Sequence, residues 1–173
     1  MTRLKLSPES RIIGIDPGAN TGLVCIDGYG EFIERTTISP SSKEFDLNER
    51  LSLTHEEVES FLDRHRAAAI GFEGLRTYFA DKGGVKTFGI QAQFVGAVRA
   101  AFARCAGDVV ITEFAPPRVV GRGRNKRIVG LPTKGTARAL LRNKWGKVAD
   151  DLTEHEVDAA IIALEVLRQA GQL

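Results

Sequence analysis

The sequence is poor in cysteine and has no long apolar run. Its 173 residues include two cysteines, Cys25 and Cys105, which lie outside any C-x-x-C or zinc-binding spacing. This argues against a disulfide framework and predicts a reduced intracellular protein with two buried thiols. No stretch reaches the roughly 18 apolar residues of a membrane span, and the start of the chain lacks the apolar core of a signal peptide. We therefore expect neither secretion nor membrane insertion.

Acidic residues are absent between Phe114 and Ala149. This stretch carries 10 of the 24 Lys and Arg residues, although the net charge of the chain is only +2. A positive field concentrated in one segment suits a polyanion, and phosphate contacts dominate nucleic-acid affinity. The alternative is a solvated charge run without a partner. Within the stretch, the glycines and like charges of residues 119–132 predict a flexible basic loop.

Length and composition fit one globular domain. The chain is long enough for a substantial core and too short for two ordinary domains. Hydrophobic residues make up 43% and charged residues 27% of the sequence, a balance typical of globular rather than disordered proteins. No repeat or linker interrupts the chain. We therefore expect a single domain over residues 1–173, with a flexible N-terminus at residues 1–10.

Apolar runs and turn signals predict an α/β fold. The predicted strands cover residues 11–16, 21–27, 31–38, 67–72 and 109–114, and the predicted helices cover residues 47–65, 85–104, 133–145 and 153–169. Asp46 and Thr153 are candidate N-caps. The first three strands follow one another through tight turns and form an antiparallel meander, whereas each later strand leads into a helix. The pattern indicates a mixed five-stranded sheet flanked by helices.

Carboxylates stand at the ends of two predicted strands. Asp16 ends the first strand before Pro-Gly, and Glu73 ends the fourth in the same manner. In the last predicted helix and the residues just before it, a spacing of three or four residues places further polar residues on one helical face. These residues are Asp151, Glu154, His155 and Asp158. Taken singly, each has an ordinary explanation as a turn former or a surface residue, so the prediction depends on their combination.

Grouped carboxylates favour a divalent metal. Like charges repel one another unless a cation compensates them. Oxygen ligands without a cysteine cluster favour Mg²⁺ or Mn²⁺ over structural zinc. Two such ions about 4 Å apart activate water and stabilise the leaving oxygen in phosphodiester hydrolysis. Together with the basic stretch, the carboxylates predict a metal-dependent nuclease.

The ordered motifs resemble those of the RuvC family of Holliday-junction resolvases. I-I-G-I-D-P-G followed by T-G, then A-I-G-F-E-G, P-P-R and H-E-V-D-A-A-I-I-A-L match the family in order over nearly the whole chain. The resemblance implies an RNase H-like fold and a homodimer on a four-way DNA junction. It also implies a crossover junction endodeoxyribonuclease that makes paired nicks with two Mg²⁺ ions per active site, with Mn²⁺ as a substitute. We expect a cytoplasmic location in a bacterial cell or a phage-infected host.

The same resemblance assigns catalytic residues. Asp16 matches the first-strand carboxylate of the family, Glu73 the fourth-strand carboxylate and Asp158 the last-helix carboxylate. His155 stands where many members have Asp and some have His. It could ligate a metal or orient the attacking water. Two acidic residues of the predicted helical face are possible substitutes for it, namely Glu154 and Asp151.

Contacts with DNA are also implied by the resemblance. The family places an aromatic residue at the junction centre, and here Tyr78 or Phe79, beside Arg76, would stack on bases or else belong to the core. Arg118 and Lys134 resemble the basic residues near the scissile phosphate, and residues 122–128 look like an insertion between them. The other predicted DNA-binding residues are Arg122, Arg124, Lys126, Arg127 and Arg138.

Other functions remain open at this stage. A nuclease of the same fold could debranch a broader range of DNA or process RNA. The first motif also resembles the phosphate loop of actin-like ATP-binding proteins, but that architecture needs two domains. A DNA-binding module without catalysis would leave three carboxylates to repel phosphate for no benefit. The sequence indicates neither the cleavage preference nor a branch-migration partner.

Overall fold

The structure is a computed structural model that describes residues 6–75, 84–104, 109–115, 118–120, 127–132 and 134–172. Part of the predicted flexible N-terminus therefore lies within it. Leu6 is buried in the core, and the carbonyl of Pro8 accepts a hydrogen bond from the backbone of Gly28. Cys25 is buried as predicted, whereas Cys105 lies outside the described residues.

A five-stranded mixed sheet forms the centre of the molecule. Its strands are β1 (Ile12–Asp16), β2 (Thr21–Ile26), β3 (Phe32–Ile38), β4 (Ala69–Glu73) and β5 (Val110–Phe114). Their spatial order is β3-β2-β1-β4-β5. The first three strands pair antiparallel, and β4 pairs parallel with both β1 and β5. The predicted meander followed by two parallel strands is confirmed.

Four α-helices surround the sheet. They are α1 (Leu47–His65), α2 (Gly84–Phe102), α3 (Lys134–Trp145) and α4 (Glu154–Gln169), and a 3₁₀ helix over Gly146–Asp150 joins the last two. Capping boxes begin α1 at Asp46 and α4 at Thr153, which confirms both predicted N-caps. None of the helices within the described residues has the length and hydropathy that a membrane span requires.

The predicted loop over residues 119–132 contains two short strands instead. β6 (Arg118–Val120) and β7 (Arg127–Val129) pair antiparallel outside the main sheet. β-branched residues on both sides of the pairing explain the difference, because these side chains favour extended backbone. They are Val119, Val120, Ile128 and Val129. The prediction gave weight to the charges and glycines of this segment and overlooked its β-branched residues.

Helices α1 and α2 cover one side of the sheet. Ile13 and Ile15 of β1 and Ile70 of β4 are fully buried in a cluster with Phe61 of α1 and Val98 of α2. The rings of Phe72 and Phe102 contact one another here in a tilted arrangement, with centroids 5.3 Å apart. Large apolar side chains thus fill the space between the sheet and these helices.

Helix α4 lies against the other side of the sheet at very close range. A Cβ on Gly14 would overlap the carbonyl oxygen of Ala159, and one on Gly22 would overlap that of His155. Further along the helix, a Cβ on Gly71 would lie 2.6 Å from a methyl group of Val166. Gly14 and Gly22 therefore let the helix backbone approach the sheet, and Gly71 leaves room for the Val166 side chain.

Candidate active site

Parallel pairing places two carboxylates side by side. In the register between β1 and β4, Gly14 lies opposite Gly71, and the next residues of each strand, Ile15 and Phe72, are also opposite one another. The following residues, Asp16 and Glu73, end the two strands at the same edge of the sheet. Because side chains alternate between faces, both carboxylates share the face of Gly14 and Gly71, on which α4 lies.

Helix α4 brings a histidine to the first of these carboxylates. The carbonyl of His155 lies over Gly22, and Gly22 is the partner of Asp16 in the β1–β2 register. The imidazole Nδ1 lies 2.8 Å from Asp16 Oδ2, with the two side chains 37% and 17% exposed. An ionised carboxylate only accepts, so Nδ1 is the donor. Asp158 lies one helical turn further along the same side and is half-buried.

The two possible substitutes for His155 occupy different positions. Glu154 is the first residue of α4 and is exposed. Asp151 does not lie on the helical face, contrary to the prediction, because the helix begins only after the N-cap Thr153. Its side chain is exposed, while its carbonyl accepts a hydrogen bond from Arg35. Asp151 is therefore part of the connection into the helix.

The donor set fits a hard divalent cation. Two carboxylates end adjacent strands, a third lies on α4, and an imidazole supports the first of them. This is the oxygen-rich chemistry that Mg²⁺ and Mn²⁺ prefer. Among the residues that the structure describes, no three His, Cys, Asp or Glu side chains are close enough together to form a complete metal site as they stand.

The turn after Asp16 is held by side chains. Thr21 Oγ1 donates to the carbonyl of Gly18 at 2.8 Å and accepts from its backbone N–H at 3.2 Å. From α2, Gln91 Nε2 donates to the carbonyl of Pro17 at 2.6 Å. These bonds fix the end of β1 and with it the position of Asp16. The T-G motif gave a sequence signal for Thr21, but nothing in the sequence pointed to Gln91.

A buried glutamate lies beside His155. Glu156 is 5% exposed and completes the α4 capping box through Thr153. Its carboxylate also accepts from Arg35 at 2.9 Å and from Thr37 at 3.1 Å. Sequence analysis found the capping box but missed the two residues of β3, which are far away along the chain.

The predicted DNA-binding residues are only partly described. The guanidinium of Arg138 donates to the carbonyls of Ala149 and Leu152, both at 3.1 Å, so it holds the segment that precedes α4. Arg118 and Arg127 belong to β6 and β7, and Lys134 begins α3. The remaining ones lie outside the described residues, namely Arg76, Tyr78, Phe79, Arg122, Arg124 and Lys126.

The fold is that of Holliday junction resolvases. RuvC from Thermus thermophilus, solved in complex with a Holliday junction substrate, matches with a TM-score of 0.68 at 21% identity over 90% of each chain. The yeast mitochondrial Holliday junction resolvase Ydc2 gives a TM-score of 0.55 at 11% identity, covering 97% of this chain and 83% of its own.

A viral protein shares the fold as well. The fowlpox virus resolvase, solved with Holliday junction DNA, gives a TM-score of 0.53 at 11% identity, covering 91% of this chain and 97% of its own. No protein-family model and no curated protein sequence matches the chain. The structural neighbours confirm the predicted RNase H-like mixed sheet of the RuvC type.

Proposed function

We propose that the protein is a structure-selective endodeoxyribonuclease that resolves four-way DNA junctions. The observation that carries the proposal is the position of Asp16 and Glu73 at the ends of the neighbouring strands β1 and β4, together with the contact between His155 of α4 and Asp16. The shared fold supports it, since two of the similar structures contain Holliday junction DNA. The long acid-free stretch supplies positive charge for a phosphate backbone.

The proposed mechanism is metal-dependent phosphodiester hydrolysis. Asp16, Glu73 and Asp158 would hold two Mg²⁺ or Mn²⁺ ions, with His155 or Glu154 as a further ligand. Such ions activate a water and stabilise the leaving oxygen. His155 donates to Asp16 and so fixes the orientation of that carboxylate, as partners of metal ligands commonly do.

Paired nicks call for two active sites, so the proposal includes a homodimer. A two-fold dimer matches the symmetry of a four-way junction. Helix α2 supports this arrangement because part of its surface is apolar and open. Val85 is 82% exposed, and a Cβ on Gly89 or Gly96 would meet nothing within 4 Å. Small residues on a helix face allow a second helix to approach closely.

A cleavage assay on a mobile four-way junction tests the function. We expect symmetric paired nicks in Mg²⁺ and in Mn²⁺, and little cleavage of a matched duplex. Asp16→Asn should abolish cleavage and leave junction binding largely intact, because the substitution removes one charge and keeps the shape. Equal cleavage of duplex and junction would overturn the proposal.

Further substrates separate the alternatives. Comparable cleavage of three-way junctions and flaps would indicate a broader debranching nuclease, and cleavage of structured RNA would indicate an RNA-processing enzyme. Tight junction binding without cleavage in either metal would indicate a DNA-binding module. Loss of both binding and cleavage in Asp16→Asn would indicate misfolding, which circular dichroism of the variant would detect.

A further inference from the structure

We propose that Arg35 is a positioning residue of the active site, acting through Glu156 and the entry into α4. Arg35 lies on β3, two strands away from Asp16 in the sheet. Its Nη1 donates both to the Glu156 carboxylate and to the carbonyl of Asp151. The proposal rests on the nuclease function proposed above, because it assigns a role in that same site.

Glu156 connects Arg35 to the catalytic helix. One carboxylate oxygen accepts from Arg35 at 2.9 Å and from the Thr153 backbone N–H at 2.8 Å, and the other accepts from Thr37 at 3.1 Å. Thr153 Oγ1 in turn accepts from the backbone N–H of Glu156 at 3.2 Å. A single buried carboxylate thus joins the edge strand β3 to the first turn of α4, directly beside His155.

The segment before α4 is held from its other side as well. From α3, Arg138 donates to the carbonyls of Ala149 and Leu152. Together with the bond from Arg35 to the Asp151 carbonyl, two arginines from different elements fix three carbonyls of the segment. Hydrogen bonds from charged donors are stronger than neutral ones. The start of α4 is therefore fixed by charge on both sides.

Small displacements of this helix matter for the site. The carbonyl of His155 already contacts the backbone at Gly22 so closely that no Cβ fits between them. Loss of Arg35 would leave the buried Glu156 without its counter-charge, which is unfavourable, and the first turn would move to solvate it. That movement would carry His155 away from Asp16 and would displace Asp158, one turn further along the helix. A misplacement of about 1 Å can cost a hundredfold in rate.

The test compares Arg35→Met with a matched control on the same strand. Methionine keeps most of the apolar stem and loses the charge and the donors. Glu34→Gln is the control, because both partners of Glu34 belong to α1: Arg64 at 2.9 Å, in an ion pair with both side chains substantially exposed, and His65 at 3.2 Å. Both variants are measured as full-length protein, well below the melting temperature of the weaker one.

Single-turnover cleavage of the junction is the first readout. We expect Arg35→Met to lower the rate at saturating Mn²⁺ by about 10-fold to 100-fold, the usual effect of removing a partner behind a metal ligand. The junction Kd should stay close to the wild-type value, and Glu34→Gln should cleave at the wild-type rate. An unchanged rate in Arg35→Met, or an equal loss in Glu34→Gln, would overturn the proposal.

The imidazole NMR signals of His155 are the second readout and need neither metal nor DNA. The chain has three histidines, so the signals can be assigned with one His155→Asn variant. We expect Arg35→Met to shift them and Glu34→Gln to leave them in place. Unchanged His155 signals in Arg35→Met would overturn the proposal even if cleavage slowed. If the wild-type protein fails to cleave junctions, the proposed function fails, and the NMR comparison still tests the positioning role.

A third variant covers the case in which Arg35→Met does not fold. Arg35→Lys keeps the positive charge that Glu156 needs, but an ammonium group cannot reproduce the geometry with which a guanidinium reaches two acceptors. We expect a folded protein with a smaller decrease in cleavage rate and a smaller shift of the His155 signals. Wild-type values of both quantities in Arg35→Lys would overturn the proposal.

Discussion

Apolar side chains cover both sides of the central sheet, and on the α4 side glycines also bring a helix backbone onto the strands. On the α1 and α2 side, Ile13, Ile15 and Phe61 fill the interface. On the α4 side, Gly14 and Gly22 bring the helix backbone onto the strands. The candidate active site lies on the second side, at the strand ends.

This difference explains the position of the candidate active site. A thick apolar layer keeps helices at side-chain distance from a sheet, too far for a helix residue to reach a strand residue through a short side chain. At Gly14 and Gly22 that layer is absent. His155 then reaches Asp16 across a hydrogen bond of 2.8 Å while both residues keep their places in regular elements. We expect substitutions on the α4 side to act mainly by displacing the helix. Substitutions on the opposite side should act mainly through the side-chain volume that they add or remove.

The largest effect should come from one methyl group added on the α4 side. In Gly14→Ala, the new Cβ meets the backbone of Ala159, which cannot rotate away as a side chain would. We expect a loss of more than about 3 kcal/mol in the free energy of unfolding, above the usual range for overpacking. Cleavage should be lost as well, because α4 must move. Chemical denaturation and the junction assay measure the two effects.

A glycine in open space supplies the control for this variant. A Cβ on Gly135, in the first turn of α3, meets nothing within 4 Å. Gly135→Ala should therefore leave the free energy of unfolding unchanged or raise it by up to about 1 kcal/mol, since alanine has the higher helix propensity. Wild-type stability in Gly14→Ala would contradict the close approach of α4.

A smaller effect is expected one residue earlier on the same strand. Ile13 is fully buried on the α1 and α2 side. Ile13→Val removes one methylene group and should cost about 0.5–1.5 kcal/mol in the free energy of unfolding. The cleavage rate of the folded protein should not change, because no backbone has to move. A slower rate at full folding would show that the two sides are not independent.

Local signals in the sequence predicted most of this fold. Apolar runs and turn residues gave the five strands and the antiparallel meander of the first three, and capping residues gave the starts of α1 and α4. Asp16 and Glu73 were found because each directly ends a strand. The hairpin of β6 and β7 and the position of Asp151 were missed, since both depend on where short elements begin.

Contacts between distant segments were not predictable from the sequence. Arg35 and Glu156 are separated by 121 positions along the chain, and the sequence offers many other partners for each. The closeness of α4 to Gly14 follows from tertiary packing as well. Helical periodicity gives the direction of a side chain but not the distance between two elements. The structure was therefore needed to assign a role to each residue that supports the carboxylates.

Acid should weaken the α1 and α2 side through His65. Burial, partly opposed by Glu34, lowers the pKa of His65 below its ordinary value of 6.5, so the folded state favours the neutral ring. Above pH 6.5 the His65 ring is mainly neutral in both the folded and the unfolded state. Below it the unfolded chain binds the proton first, so stability falls as the pH drops from 6.5 towards the folded pKa. His65→Leu should flatten this part of a plot of Tm against pH. An equally steep loss in the variant would contradict the assignment.

The smallest effect concerns Cys25, which lies on the α1 and α2 side of β2 with no exposed surface. Burial raises the pKa of its thiol to about 12, so almost no thiolate forms at neutral pH. In a Cys105→Ser background, where Cys25 is the sole thiol, iodoacetamide should label the native protein negligibly and the denatured protein completely. Rapid native labelling would contradict tight packing of this side. Faster labelling in Gly14→Ala than in Ile13→Val would show that displacing α4 opens the sheet more than a lost methylene does.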